Sequence, residues 1–260
     1  METFIKATLR SLLCFIFFTM AQSCEIDDDL DSIDELAINS NFFDFNQFGK
    51  THNAYLEYVM TIENNQDPKA RFMYGKTFSD PTFGSFNIDL TYEDMNKSMA
   101  FHRRRVDLIL GGTYDASSEN LSPEMTSFLD KLATIVKYSI DRKLTMTEFL
   151  ASIAAIESKI QLEQQIEIDL KKGISNDGAA MLAITSILKY STKYWVAIEN
   201  VNNGSSGDDL PLARKGIWRA LADAWGYVSA WVDNGDGSYS WYHESALVNA
   251  DCVSDKVREN

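Results

Sequence analysis

The segment SPEMTSFLDKLATIVKYSI, residues 122–140, decides the fold class because it carries a complete helix signal. Ser122 can cap a helix, Pro123 suits its first turn, and Glu124 places an acid at its positive end. Apolar residues then recur at spacings of three and four, as on one face of an amphipathic helix. They are Phe128, Leu129, Leu132, Ile135, Val136 and Ile140. The pattern predicts a helix that buries one face.

The residues that follow predict a second helix. After a turn at Lys143 and Leu144, Thr145-Met146-Thr147-Glu148 has the form of a capped helix start. Its apolar stripe is Phe149, Ile153, Ile156, Ile160 and Leu162. Residues 165–170, QIEIDL, alternate between polar and apolar, but their Gln and Glu content favours helix over strand. We therefore predict helix there as well.

The same reasoning extends to both ends of the chain and predicts an all-α fold. Further helices are expected over residues 41–62, 91–110, from 177 onward, 211–231 and 244–258. Gly49 weakens the first of these and leaves open that it divides in two. Residues 239–242 suit either a short C-terminal hairpin or an extended stretch. The expected architecture is a single bundle of about six or seven helices over residues 41–260.

Residues 63–89 are the least regular part of the chain. Pro68, Gly75, Pro81 and Gly84 interrupt the segment, which is nevertheless rich in aromatic residues. Long irregular loops are commonly functional. One interpretation is a loop that folds its rings onto the helices, and the other is an aromatic binding surface. The candidate binding residues are Phe72, Tyr74, Phe78 and Phe83.

The predicted helix over residues 211–231 offers a second candidate binding surface. Ala222, Gly226 and Ala230 fall four residues apart, a spacing that lets another backbone come close. Charged residues in the same helix argue against a membrane span. The candidate binding residues are Trp218, Trp225 and Trp231.

The first 23 residues have the features of a secretory signal peptide. Lys6 and Arg10 precede an almost unbroken apolar run at residues 12–21, and small residues follow it. Ten apolar residues rise only about 15 Å as a helix, roughly half of a bilayer, so the run is too short to span a membrane.

The end of this segment, Ala21-Gln22-Ser23-Cys24, resembles a bacterial lipobox. The resemblance implies cleavage before Cys24, thioether lipidation of its sulfur and acylation of its amine by a palmitate-type chain. Ala21 departs from the pattern, because lipoboxes usually carry Leu there. The alternative is an ordinary signal peptide in which Cys24 is incidental. Residues 1–23 are thus expected to be a signal peptide and residues 24–40 a lipidated cysteine with an acidic tether.

The acidic run over residues 25–35 resembles the surface-export signal of Bacteroidota-type lipoproteins. It contains Glu25, Asp27, Asp28, Asp29, Asp31, Asp34 and Glu35. Like charges at this density keep a segment solvated and extended, so a plain tether is the other interpretation. The resemblance implies an outer-membrane lipoprotein, displayed on the cell surface if the export signal operates.

Charge and cysteine content limit the possible functions. The 260-residue chain has 24 basic and 38 acidic side chains, a net charge of −14. Without residues 1–23, 22 basic and 37 acidic side chains remain, a net charge of −15. Such a chain repels phosphate backbones, so nucleic acid is excluded as a partner. After the loss of Cys14 and lipidation of Cys24, only Cys252 remains, so no internal disulfide is expected.

Sequence motifs for catalysis or metal binding are missing. No Gly-x-Ser-x-Gly, phosphate-binding loop or His-Glu-x-x-His occurs, and the three histidines lie far apart. We therefore predict no catalytic residue, no metal and no cofactor. The pair His243-Glu244 is the one candidate for acid–base work. The cluster Arg103-Arg104-Arg105 is expected to form salt bridges, with an anionic ligand as the alternative.

Three functions remain open. The first is a lipid-anchored envelope protein with a non-catalytic binding or structural role toward an unknown protein or small molecule. The second is an exported bacteriocin-like or immunity-type protein, because residues 222–230 weakly resemble the small-residue zippers of such peptides. The third is an envelope hydrolase that uses His243 and Glu244.

Overall fold

The computed structural model describes residues 43–85, 91–202, 214–229, 231–236, 238–241 and 246–248, together with residues 212, 250 and 251. These residues form a helical bundle with two small antiparallel sheets, which confirms the predicted all-α class. The helices of the described residues are α1 Asn46–Met60, α2 Pro68–Gly75, α3 Tyr92–Gly111, α4 Pro123–Asp141, α5 Met146–Glu163, α6 Asp177–Asn202 and α7 Arg214–Val228. Residues 246–248, 250 and 251 are also helical, within the predicted last helix.

Helix α6 is the centre of the bundle. Its residues 178–188 are all buried, and the helix contacts α1, α5 and α7. A helix that is apolar on every side must be covered by neighbours to be stable, and α6 is covered in this way. No helix among the described residues combines the length and the apolarity needed to cross a membrane.

The predicted starts of α4 and α5 are confirmed in atomic detail. The Met125 amide donates a hydrogen bond of 3.0 Å to the Ser122 hydroxyl oxygen. Thr145 and Glu148 form a reciprocal capping box. Between the two helices, Lys143 has a φ of 54°, so the chain reverses through a left-handed residue.

The prediction of helix for residues 165–170 is wrong. Helix α5 ends at Glu163, and β3 Ile168–Asp169 pairs antiparallel with β4 Ile174–Asn176. Of these six residues only Ile168 and Asp169 form a strand, whereas residues 165–167 are irregular and Leu170 lies in a turn. A hydrogen bond of 3.0 Å from the Asn176 side-chain amide to the Gln165 carbonyl oxygen fixes this segment beside the start of α6.

The alternative of a short C-terminal hairpin is confirmed. Strands β5 Trp231–Asp233 and β6 Ser238–Trp241 pair antiparallel, and the four-stranded sheet has the order β3-β4-β6-β5. Helix α7 therefore ends at Val228, before the predicted end near Trp231. Tyr239 of β6 is buried, and its hydroxyl oxygen accepts a hydrogen bond of 3.2 Å from the Ser122 amide.

The aromatic-rich segment is more regular than predicted. It contains α2 and a two-stranded hairpin of β1 Ser79–Asp80 and β2 Gly84–Ser85. Helix α2 begins with Pro68 after Asp67, whose carboxylate accepts a hydrogen bond from the Lys69 amide at 3.0 Å. This cap-plus-proline start has the same form as Ser122-Pro123, and it is the sequence signal for α2. Residues 86–90 lie outside the described part.

Candidate functional site

Three of the seven predicted aromatic binding residues are core residues. Phe72, Phe78 and Trp225 expose 1%, 8% and 0% of their surface. The Phe78 ring packs edge-on to the Tyr55 ring, with centroids 5.5 Å apart. For these three residues, burial replaces the predicted binding role with a structural one, because a partner at the surface cannot reach them. For Phe72 and Phe78 the other interpretation is correct, because their rings pack against the helices.

The other predicted aromatic residues lie on separate elements. Tyr74, Phe83 and Trp218 are half-buried, on α2, the β1–β2 turn and α7 respectively. The Tyr74 ring stacks on the Tyr58 ring, with centroids 4.4 Å apart and planes inclined by 7°. Trp231 lies in β5, in register with Trp241. The structure therefore does not unite these residues into one recognisable site, and their binding role stays a prediction.

Several residues of interest fall outside the described part of the chain. Cys24 and the pair His243-Glu244 are among them. The lipidation of Cys24 and the acid–base role of His243 and Glu244 therefore stay predictions.

One arginine of the cluster, Arg105, forms a buried ion pair, whereas Arg103 is half-buried and Arg104 is exposed. Arg105 of α3 is buried, and its guanidinium pairs with the carboxylate of Glu119, in the 3-10 helix Ala116–Glu119. The guanidinium also donates a hydrogen bond of 3.3 Å to the Trp225 carbonyl oxygen. Burial lowers the pKa of Arg105 to about 10. The salt-bridge interpretation of the cluster is thus confirmed for Arg105.

A groove between α4 and α5, with Met181 of α6 beside it, is a candidate binding site among the described residues. Its volume is about 530 Å³. The apolar side chains that line it are Phe128, Leu132, Ile135, Ile156, Ile160 and Met181. Exposed charged residues also border it, namely Glu124, Lys131, Lys159 and Glu163. Apolar concavities of about 300–1,000 Å³ with a few polar groups are typical of small-molecule sites.

A second feature is a buried polar cluster, which we call the His52–Asp223 cluster and which also includes Ser191 and Trp195. His52 of α1 and Asp223 of α7 are both fully buried, and their Nε2 and Oδ2 atoms lie 3.6 Å apart. The Asp223 carboxylate accepts hydrogen bonds from the Ser191 hydroxyl and, at 2.7 Å, from the Trp195 indole N–H. Buried charges are tolerated when they are paired and hydrogen-bonded in this way. The cluster ties α1, α6 and α7 together.

The His52–Asp223 cluster does not have the geometry of a catalytic triad. In a triad the serine hydroxyl bonds to the imidazole, whereas the Ser191 hydroxyl bonds to the Asp223 carboxylate. In addition, His52, Ser191 and Asp223 expose none of their surface, so a substrate cannot reach them. The cluster is therefore interpreted as a structural one that joins three helices.

A further buried ion pair, Arg71–Asp251, lies close enough to influence the His52 ring. The Arg71 guanidinium of α2 donates to the Asp251 carboxylate at 3.1 Å, and both side chains are almost fully buried. The negative charge of Asp251 contributes to the pKa of His52. Neither the His52–Asp223 pair nor the Arg71–Asp251 pair could be predicted from the sequence, because each joins residues more than 170 positions apart.

The stability of the fold is expected to decrease as the pH rises above about 6.5, because of His52. Burial disfavours the charged imidazolium, but the negative charge of Asp223, the hydrogen bond of Nδ1 with the Asn53 amide oxygen and the charge of Asp251 outweigh it and raise the pKa of His52. A histidine with a raised folded-state pKa contributes stability that is complete below its unfolded pKa, about 6.5, and is lost as the pH rises through the folded-state value. Urea denaturation over a pH series measures this loss.

The matched control for this pH dependence is His52→Gln, which keeps a polar side chain but does not titrate. Its free energy of unfolding should vary less between pH 6 and 8 than that of the parent chain. An NMR titration of the His52 ring in the parent chain provides a measurement that does not depend on the variant. A ring that titrates below 6.5 in the folded protein would contradict the prediction.

Among the described residues, no group of three or more His, Cys, Asp and Glu side chains converges as a metal site would require. Comparison of the chain with protein-family models, with curated proteins and with solved structures finds no match.

Proposed function

We propose that this chain is a lipid-anchored protein of the cell envelope, attached to the outer membrane through Cys24, with a non-catalytic binding role. The observation that carries the proposal is the order of features at the start of the chain. A basic segment, a short apolar run and Ala21-Gln22-Ser23-Cys24 follow one another, and the acidic run over residues 25–35 comes next. Two or three acyl chains, at about 0.8 kcal/mol per buried CH₂, suffice for stable anchoring.

Features of the folded domain support a binding role over the bacteriocin-like alternative. The groove between α4 and α5 offers apolar surface to a ligand. Ala222 and Gly226, which suggested a bacteriocin-like zipper, are buried within the bundle and so give that alternative no support.

The lipid anchor is tested by the intact mass of the mature protein from the native host. We expect the mass of Cys24–Asn260 plus two or three acyl chains, and incorporation of labelled palmitate. The variant Cys24→Ser should lose the label, whereas Cys252→Ser, the matched control at the other cysteine of the mature chain, should keep it. An unmodified polypeptide mass would refute the proposal. Equal labelling of the parent chain, Cys24→Ser and Cys252→Ser would refute it as well.

A further inference from the structure

The helical residues 246–248, 250 and 251, which we call the Asp251 segment, are all buried in the bundle. The apolar residues of this segment expose none of their surface, and Asp251 exposes 2%. A buried carboxylate is tolerated when it is paired and hydrogen-bonded. Helix α2 supplies this pairing, because the Arg71 guanidinium donates hydrogen bonds of 3.1 Å to the Asp251 carboxylate and 3.4 Å to its backbone carbonyl oxygen. Docking of the segment therefore includes a buried electrostatic contact.

The charge of Asp251 acts on His52 of α1 as well as on Arg71. Burial opposes the charged imidazolium of His52, but the charges of Asp223 and Asp251 favour it, and the net effect is a raised pKa. Such a coupling is reciprocal, so a carboxylate that favours the imidazolium is also stabilised by it. Because both side chains are buried, solvent screens this attraction little. Protonated His52 therefore stabilises Asp251 in its docked position.

The two carboxylates that favour the imidazolium belong to different elements. Asp223 of α7 lies 3.6 Å from His52 and is also held by hydrogen bonds from two side chains of α6. It keeps this position if the Asp251 segment separates from the bundle. Asp251 would then lie in water, where its attraction for His52 is weak. The docked state thus binds the His52 proton more tightly than the undocked state, and such a difference lets a proton shift a conformational equilibrium.

The other charged or titratable groups around His52 do not compete with it near neutral pH. Arg71 of α2 and Arg219 of α7 are arginines, which stay charged. Burial raises the pKa of Tyr194 of α6 above its ordinary value of 10.0, and nearby carboxylates raise it further, so its phenol stays neutral. Glu57 of α1 is exposed, so water screens its charge. His52 therefore supplies the change of charge in this pH range.

We propose that the charge state of His52 controls the docking of the Asp251 segment, which separates from the bundle more often when the imidazole is neutral than when it is charged. The proposal goes beyond the lipid anchor and the binding role and depends on neither. It also goes beyond the pH dependence of global stability, because it assigns a local opening to one segment. Stabilisation of docking is complete below the His52 pKa of the undocked state and is lost as the pH rises through the value of the docked state.

Hydrogen exchange followed by mass spectrometry tests the proposal on the mature chain, residues 24–260, with Cys24→Ser. Exchange is measured from pH 6 to pH 9 and divided by the intrinsic rate at each pH. We expect the protection of peptides that cover residues 246–251 to decrease with rising pH, by at most about tenfold per pH unit, the limit for one proton. Peptides from residues 178–188, at the buried centre of α6, are the internal reference and should lose less protection.

Three variants separate the contributions. His52→Gln should make the protection of the Asp251 segment independent of pH. Asp251→Asn keeps an oxygen that can accept from Arg71 but removes the charge, so it should lower the pH at which the His52 ring titrates by NMR. Glu57→Gln is the matched control, because it removes an exposed carboxylate from the helix that carries His52, and it should behave like the parent chain. Thermal melting checks that each variant is folded, and His52→Gln suffices if Asp251→Asn is not.

Several results would overturn the proposal. Protection of the Asp251 segment that does not change with pH, or that still changes in His52→Gln, would separate its docking from His52. Equal losses of protection in the segment and in residues 178–188 would mean that the proton acts on the whole fold. An unchanged His52 titration in folded Asp251→Asn would show that the two groups are not coupled. None of these results alters the mass of the native mature protein, so failure here is distinguishable from failure of the anchor.

Discussion

Asp223→Ala is expected to lower the free energy of unfolding by about 3–5 kcal/mol, the range for breaking a buried ion pair by removing one partner. The Asp223 carboxylate is fully buried and serves His52, Ser191 and Trp195 at once. Its loss leaves a buried imidazole without its counter-charge and an indole N–H without its acceptor. Urea denaturation at pH 6, where the His52 charge contributes most, measures the effect.

Asp107→Ala is the matched control for this prediction. Asp107 is an exposed residue of α3, so its replacement should change the stability by about 0.5 kcal/mol or less. Asp223→Asn keeps the shape of the side chain and an oxygen that can accept from Trp195. It should therefore cost less than Asp223→Ala, and it keeps the test usable if the alanine variant does not fold. A cost for Asp223→Ala that equals that of Asp107→Ala would contradict the role given to the cluster.

The local parts of the fold could be predicted because their signals lie within one turn of helix. Ser122 and the amide of Met125 that it caps are three residues apart, and Thr145 and Glu148 have the same separation. Each pair forms its bonds whatever the remainder of the chain does. The same local rule also describes Asp67-Pro68, where residues 63–89 were predicted to be irregular.

The strands depended on partners that are distant in sequence. Strand β4 pairs with β6 through Ile174 and Ser240, which are separated by all of α6 and all of α7. Helix propensity favoured helix for residues 165–170. Pairing with β4, whose other edge carries β6, instead makes Ile168 and Asp169 a strand. Propensity is a weak indicator wherever tertiary contacts compete with it.

The candidate sites were harder to predict than the fold. The aromatic residues of α2 show the reason, because Phe72 is buried and Tyr74, two positions later, is half-buried. Both residues are aromatic, so residue type does not distinguish them. Only the direction of each ring decides whether the side chain lies in the core or near the surface. The groove could not be predicted for a similar reason. Leu132 and Ile160 belong to the apolar stripes of α4 and α5, and an apolar stripe does not show how far apart two helices lie.

Gly49→Ala is expected to destabilise the fold by about 1–3 kcal/mol, although alanine favours a helix by about 1 kcal/mol over glycine. A Cβ at Gly49 would lie 2.5 Å from Cδ2 of Tyr190 and 2.6 Å from the Ser186 carbonyl oxygen. Helix α6 cannot retreat without disturbing the core, because its residues 178–188 are all buried. The Gly49 amide also donates a hydrogen bond of 3.0 Å to the Ser186 hydroxyl oxygen, which a shift of α1 would lengthen.

The same substitution at Gly111, the last residue of α3, provides the control with the opposite sign. The nearest atom to a Cβ there is Oγ1 of Thr113 at 3.7 Å, an ordinary contact, so Gly111→Ala should be neutral or stabilising by up to about 1 kcal/mol. Equal effects of the two variants in urea denaturation would mean that α1 and α6 separate easily. This contrast would explain why α1 is continuous through Gly49. A glycine weakens an isolated helix, but here it permits the close contact with α6 that stabilises α1 in the fold.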